Sequence, residues 1–368
     1  MTHLVSSRSF EVLGGRGTVV HSPNGAAFWA RTSTFVFRNN NPRSPVQRVC
    51  RVDMLVRRLS SAESAGLRLG WDVNARSSWI FHPRADSSEP RRPRLHIAEA
   101  AGSGMGGFAV VDIEAGERIL AERPLLEWSV AAFAKHKGRE RQAMDTAVCA
   151  KLSEAEQRDF LDLCCNEEHG PERHAYGIWL SNAYPTEDEP ESAAVFRVAS
   201  RLNHSCQPNA HAAYDLRTHR MRVHALVPIR AGEEVFVSYL GGDPDVRSAR
   251  RAELLRDFGF ECRCRKCGLV GAALAESEES QARIKQLSAR ITAHPCPSNV
   301  VALVEEKLRL LEREGQLTSW DTMACAMQYL RLTSQPKGAR KWARRAAENA
   351  KRALGEDSDE YRQLSGAA

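Results

Sequence analysis

At 368 residues the chain is too long for a single small core, so two or three packed units are expected. Hydrophobic residues make up 42%, ordinary for a globular protein, and no apolar run is long enough to span a bilayer, so no membrane association is expected. The formal net charge of +6 says little about partners, and ten cysteines in this length are too sparse for a disulfide scaffold.

Residues 1–92 carry many arginines, few acids and no lysine, and are rich in serine, as at Ser6, Ser7, Ser9, Ser60 and Ser61. Thr34-Phe35-Val36-Phe37 is a short apolar piece cut off by Asn39-Asn40-Asn41-Pro42, and residues 87–93 have linker composition. The segment reads as a basic, disordered leader. Its Arg/Ser-rich composition is also that of a mitochondrial or other organelle transit peptide, against which stand Glu11, Asp53 and the lack of an amphipathic helix.

From residue 93 the character changes. Leu95-His96-Ile97 runs into the glycine-rich Gly102-Ser103-Gly104-Met105-Gly106-Gly107, then Phe108-Ala109-Val110-Val111 and Ile113 to Leu120, with a turn at Ala115-Gly116; short strands are predicted. An insertion at about 130–195 is helical by pattern up to 175, with Leu152, Phe160, Leu161 and Leu163 on one face, and ends in an acidic loop at 185–190. Strands are predicted at 222–227 and 234–239 around a turn at 228–232, and a basic helix at 247–257. Beyond 271 the spacing predicts helices at 276–292, 298–314, 319–332 and 338–353, broken at His294-Pro295, Glu314-Gly315, Gln335-Pro336 and Gly355.

Three constellations carry chemistry. Cys262-Arg263-Cys264-Arg265-Lys266-Cys267 places three thiols within reach of one ion, and its cations would favour the thiolates that bind metal. A structural zinc takes four soft ligands in a tetrahedron, so a fourth is needed from elsewhere. Arg201-Leu202-Asn203-His204-Ser205-Cys206-Gln207-Pro208-Asn209 is too polar for a core strand, and its Cys206 is the natural missing ligand. The turn at Gly104 and Gly106 would let backbone groups approach a ligand closely, but no βαβ pattern follows and no Gly-Lys-Ser/Thr is present, so neither a dinucleotide fold nor a P-loop is indicated. Cys164-Cys165 with His169 and His174 reads as helix packing rather than a second metal site, and Cys149, Cys296 and Cys325 read as buried.

Taken together and in this order, Gly102–Ala109, Asn203-His204-Ser205-Cys206, Ala231-Gly232-Glu233-Glu234…Ser238-Tyr239 and the CxCxxC tail resemble the SET-domain methyltransferases over residues 94–268. The likeness is to the fungal SET and SMYD groups, without the MYND finger of the latter, since no second cysteine and histidine array is present. It implies an α+β fold: a SET domain (a β-clip with a pseudoknot) at 93–245 with the helical insertion, a zinc-bound post-SET tail at 246–270, and a C-terminal α-helical domain at 271–368.

The resemblance implies a protein-lysine N-methyltransferase using S-adenosyl-L-methionine and Zn2+, on a histone or other protein. Ser103, Gly104, Met105 and Gly106 match the turn that holds the cofactor's methionine part. Asn203 and His204 match the pair that holds its amino and adenine ends, Asn182 a further contact, Phe260 the aromatic over the adenine, and Tyr239 the catalytic tyrosine. Cys206, Cys262, Cys264 and Cys267 match the zinc ligands. Phe258 stands where relatives often carry a channel tyrosine, and Ala212-Ala213-Tyr214 is less aromatic than in relatives, which leaves methyl number and substrate preference open. A monomer in the nucleus or cytoplasm is expected, with no nucleic acid partner. The rival readings are an inactive SET scaffold and a nucleic-acid-binding knuckle using Arg247, Arg250, Arg251, Arg263 and Arg265.

Overall fold

The computed structural model of the chain describes residues 16–21, 27–38, 47–58, 94–129, 139–166, 172–186, 192–241, 245–292 and 298–368. Strands β1 (Arg16–His21), β2 (Ala27–Arg38) and β3 (Gln47–Arg58) form their own antiparallel sheet in the order β1-β2-β3. They fall within the segment whose composition reads as disordered. Val, Thr, Phe and Trp, which favour extended backbone, recur in these three runs, and averaging them with arginine and serine hid them.

The second unit begins with a hairpin of β4 (Leu95–Ala100) and β5 (Gly104–Ala109). Its turn needs left-handed backbone at Gly102 (φ 71°) and Gly104 (φ 72°), which glycine adopts without strain. β6 (Arg118–Glu122) pairs with β11 (Arg220–Ala225), which pairs in turn with β10 (Ala210–Asp215). A third small sheet has the order β7 (Leu126–Ser129), β9 (Ser192–Val195), β8 (Tyr184–Pro185). Ile119, Phe196, Leu202, Val223, Val235 and Val237 form the shared core beneath these sheets.

The predicted strand at 234–239 is not a ladder. Its residues pair singly and with different partners: Glu234 with Phe108 antiparallel, Val237 with His204 parallel. Val235 N–H donates to Gly107 O (2.8 Å), Val237 N–H to Asn203 O (3.0 Å) and Ser205 N–H to Val237 O (3.0 Å). Asn209 fastens the crossing, its Oδ1 accepting from Phe236 N–H (2.7 Å) and its Nδ2 donating to Glu234 O (2.9 Å). The alternation of apolar residues was legible, but the segment satisfies its backbone by threading between two neighbours.

Within the insertion, α1 (Glu140–Lys151), α2 (Glu154–Leu161) and α3 (Ala175–Asn182) pack Met144, Val148, Phe160, Leu163, Ile178 and Trp179 against Leu126 and Trp128. A Ser153–Glu156 capping box starts α2, and His174 Nδ1 accepts from Gly177 N–H (2.9 Å) to start α3. Cys149 on α1 is exposed rather than buried, because the apolar stripe of that helix is carried by Met144, Ala147 and Val148. Cys164 is exposed and Cys165 half-buried; His169 and Cys296 lie outside the described residues.

The helix α4 (Arg247–Phe258) ends at Gly259 in left-handed conformation and leads into the cysteine tail. The helices α5 (Gly271–Ile291), α6 (Val300–Arg313), α7 (Trp320–Leu332), α8 (Pro336–Leu354) and α9 (Asp359–Gly366) follow. Their core gathers Leu287, Val304, Leu308, Met327, Trp342 and Ala346 and takes in Leu226 of the SET-like unit. The last helix was not predicted; it is short and is started by Ser358, whose Oγ accepts from Tyr361 N–H.

Candidate functional site

The four cysteines singled out in sequence meet. The sulfurs of Cys206, Cys262, Cys264 and Cys267 all lie within 4.8 Å of one another, the one such cluster of potential ligands among the described residues. Cys206 Sγ is 3.9 Å from Cys262 Sγ and 3.6 Å from Cys267 Sγ. Those separations are too long for a disulfide, whose S–S bond is about 2.05 Å. They match the edge of a tetrahedron with metal–sulfur bonds of about 2.3 Å, which is about 3.8 Å. Hydrogen bonds from the Cys206 and Cys262 thiols hold Cys264 and Cys267 low, while contact with Cys262, Cys264 and Cys267 pushes Cys206 up. Four sulfurs this close become thiolates together only around a cation, so the donor set fits a zinc ion.

A cation that the sequence reading of Arg263, Arg265 and Lys266 did not include, Arg250, reaches the sulfurs directly. Arg250 is buried, its Nη2 donating to Cys267 Sγ (3.6 Å) and its Nη1 to Gln281 Oε1 (2.8 Å). Lys266 is also buried, its Nζ 2.9 Å from the Glu314 carboxylate. Glu314 further accepts from Ser277 Oγ (2.7 Å) and Gln281 Nε2 (2.8 Å). Gln316 Nε2 donates to Cys206 O (3.0 Å) and Gln207 Nε2 to Glu314 O (3.2 Å). The helical domain thus grips both the cysteine tail and the Asn203–Cys206 segment through satisfied buried polar groups.

His204 sits between the cluster and the 234–239 segment. Its Nδ1 accepts from Tyr239 N–H (3.0 Å), which places the ring proton on Nε2, 3.3 Å from Cys206 Sγ. Burial pushes its pKa down to about 4, so it is a neutral imidazole at neutral pH. The parallel bridge uses Asn203 O and Ser205 N–H, which leaves the His204 backbone groups facing the opposite side.

Next to it lies the glycine turn. Asn203 Nδ2 donates to Met105 O (3.2 Å) and to Glu234 Oε1 (2.7 Å), which leaves its Oδ1 as an open acceptor. At Gly106 an added Cβ would lie 2.5 Å from Glu234 Oε1 and 3.0 Å from Asn203 Nδ2, so both side chains would have to shift. Ser103 and Met105 are exposed on the same turn. Asn182 is buried at the end of α3 with its Nδ2 donating to Cys164 O (2.6 Å) and Ile178 O (2.7 Å), so the atom it can offer a ligand is Oδ1.

Tyr239 joins the two halves. Its hydroxyl donates to Leu202 O (2.8 Å), and its ring lies 4.8 Å from Phe258, 5.3 Å from His204 and 6.3 Å from Phe260. Burial raises its pKa, so the hydroxyl keeps its proton. Phe260 also faces His204 at 6.2 Å, which puts it on the roof that the cysteine tail makes. A second aromatic row, Tyr184 against Phe196 (6.0 Å) and Phe196 against Tyr214 (6.2 Å), continues in the same core. Glu234, Asn209, Tyr184 and Phe196 were given no role from sequence, and Arg250 none at the cysteine cluster. Asn209 and Glu234 stand inside the quoted motifs and could have been found by asking what holds Asn203; the others depend on packing.

Residues 104–240 match the SET domain family. Over 187 residues the chain is 33% identical to the histone-lysine N-methyltransferase set5 of Schizosaccharomyces pombe, covering 50% of this chain and 53% of that protein. It is 39% identical over 79 residues to the histone-lysine N-methyltransferase ATXR2 of Arabidopsis thaliana, covering 21% and 16%. It is 37% identical over 91 residues to the protein-lysine N-trimethyltransferase SMYD5 of Homo sapiens, covering 24% and 20%. The chain therefore spans about half the length of the first of these relatives and a fifth or less of the other two. The Asn203–Cys206 segment threaded against 234–239 lies within residues 104–240, the stretch of this chain that matches the SET domain family.

Proposed function

We propose that the chain transfers a methyl group from S-adenosyl-L-methionine to a lysine side chain of a protein substrate, with Zn2+ held by Cys206, Cys262, Cys264 and Cys267. The observation that carries this reading is the meeting of the glycine turn, the Tyr239 hydroxyl and the cysteine tail on the Asn203–Cys206 segment. The names of the relatives, which are histone-lysine and protein-lysine methyltransferases, support it.

The cofactor supplies the methyl as part of a sulfonium cation. Ser103, Gly104, Met105 and Gly106 line the place for its methionine part. Asn203 and Asn182 each offer an amide Oδ1 to a donor such as an α-ammonium group, their amide nitrogens being already engaged. The backbone of His204 and the ring of Phe260 serve the adenine end. Tyr239 is the catalytic residue: its phenol is held by Leu202 O and stays protonated next to the transfer path. A substrate ammonium, with a pKa near about 10.4, must first release its proton to solvent, and desolvation beside Phe258 and Tyr239 would disfavour the charged form. The rigid, aromatic-lined geometry then provides alignment, the main lever for an in-line transfer. The absence of a hydroxyl at Phe258 bears on how many methyls are added.

The substrate is a histone or another protein, and the expected compartment is the nucleus or cytoplasm; no helix among the described residues is long and apolar enough to cross a membrane. The test is transfer of labelled methyl to a histone mixture and to a cell lysate. Lysine-specific labelling that depends on the cofactor is expected, and none with zinc-replete protein would overturn the reading. Gly106→Ala is expected to weaken cofactor binding about tenfold or more, since overpacking here costs about 1–3 kcal/mol and displaces Asn203. Calorimetry measures it; unchanged affinity would remove the turn from the site.

A further inference from the structure

Of the arginines weighed from sequence as a nucleic-acid surface, three are engaged internally, Arg247 donating to Leu269 O, Arg250 to Gln281 and Cys267, and Arg251 to Glu261 and Cys267 O, which leaves Arg263 and Arg265 exposed. A different element carries an exposed cationic face. On α8, every exposed residue apart from Pro336 and Glu348 is lysine or arginine: Lys337, Arg340, Lys341, Arg344, Lys351 and Arg352. They recur at helical spacing and form a stripe about 22 Å long at 1.5 Å per residue. The buried face of the helix is its opposite, with Ala339, Trp342, Ala343, Ala346, Ala347 and Ala350 packed into the helical domain.

Few of these charges are used internally. Arg345, half-buried beside the stripe, pairs with Glu305 (2.9 Å) and lies over Trp342 (4.2 Å), and Lys351 pairs with Glu356. Lys337, Arg340, Lys341 and Arg344 have no carboxylate partner among the described residues. With Arg345 and Glu348 they line a shallow hollow of about 380 Å³. Like charges at i, i+3 and i+4 repel, so the bare stripe costs helix stability and fits an external polyanion.

We propose that the exposed face of α8 binds the phosphate backbone of duplex DNA without sequence preference. The chemistry of the face selects this partner. It carries no exposed aromatic or aliphatic anchor, which a protein partner would need at the centre of an interface. It has no aromatic platform on which single-stranded bases would stack. It has no exposed Ser, Thr, Asn or Gln to meet the 2′-hydroxyls through which duplex RNA is recognised. A row of unpaired cations is what counterion release from a duplex requires. The surface is separate from the transfer site, and binding needs neither cofactor nor methyl transfer, so it stands independently of the proposed activity.

The test is fluorescence anisotropy of the full chain with a labelled duplex of about 30 base pairs across a salt series starting near about 50 mM. Wild type is expected to bind with a steep salt dependence. R340Q/K341Q/R344Q is expected to bind about tenfold or more weakly and to lose about 3 from the log–log salt slope, one per phosphate contact. R340K/R344K, which keeps the charge, is expected to bind as wild type. A single K341E, at an exposed unpaired position, is expected to weaken binding and covers the case in which the triple variant misfolds. No wild-type binding at the lowest salt, wild-type affinity and slope in K341E and the triple variant, or equal affinity for polyglutamate would each overturn the proposal.

Discussion

A Tyr239→Phe protein is expected to transfer methyl about 10²–10³-fold more slowly than wild type while binding S-adenosyl-L-methionine with similar affinity. The size follows from the loss of one preorganised hydrogen-bonding group at a site of charge shift. The substitution removes a single oxygen. The ring that packs on Phe258 at 4.8 Å and on His204 at 5.3 Å is kept, so the walls of the site survive. Leu202 O loses its donor, at a cost of about 1–3 kcal/mol for an unsatisfied buried acceptor, so a modest fall in Tm should accompany the kinetic loss. Single-turnover rates, calorimetry of cofactor binding and thermal melting separate these effects. Equal labelling by both forms would take Tyr239 out of the chemistry.

Cys206→Ser is expected to empty the metal site and, with it, the activity. Structural zinc in a four-cysteine site contributes an apparent 10–16 kcal/mol, roughly, to folding of the segment it closes. That is as large as the whole stability of a typical domain, about 5–15 kcal/mol. Cys206 is the one cysteine of the cluster from outside the tail, so under the proposed metal assignment its loss would untie Cys262, Cys264 and Cys267 from the Asn203–Cys206 segment. Phe260, which faces His204 at 6.2 Å, would lose its anchor, and Arg250 would be left buried against uncompensated sulfurs. Elemental analysis should find about one zinc per wild-type chain and almost none in the variant, with methyl transfer below about 1% and a large fall in Tm. A strong chelator should reproduce the loss. Cys149→Ser, at an exposed position on α1, is the control and should leave zinc content unchanged. A wild-type chain that is zinc-free and fully stable would refute the metal assignment.

Much of the site chemistry was readable before any coordinates. The three cysteines at 262, 264 and 267 need a fourth ligand whatever the fold, and the polar Asn203–Cys206 stretch is out of place unless it is used. Helices α5 to α8 were legible from apolar spacing, within a few residues at their ends. Three things were not legible. The 234–239 segment looked like a strand because its side chains alternate, yet its backbone bonds go to two different partners. The charge beside the thiolates was assigned to the adjacent Arg263, Arg265 and Lys266, and the contribution of Arg250 from α4, which touches Cys267, was missed. The amide nitrogen of Asn182 is taken up by Cys164 O and Ile178 O, which confines its contact to one atom.

What the sequence alone determined is therefore short-range chemistry: cysteine spacing, helix breaks, turn glycines and helical periodicity. Each of these depends on residues a few positions apart, where covalent geometry limits the choices. Tertiary structure decided which of these pieces face one another. Asn203 and Met105 are 98 positions apart, and Cys206 and Cys267 are 61 apart. No local preference sets such pairs; they form because threading 203–206 against 234–239 satisfies buried backbone groups and closes the core above Leu202 and Val237.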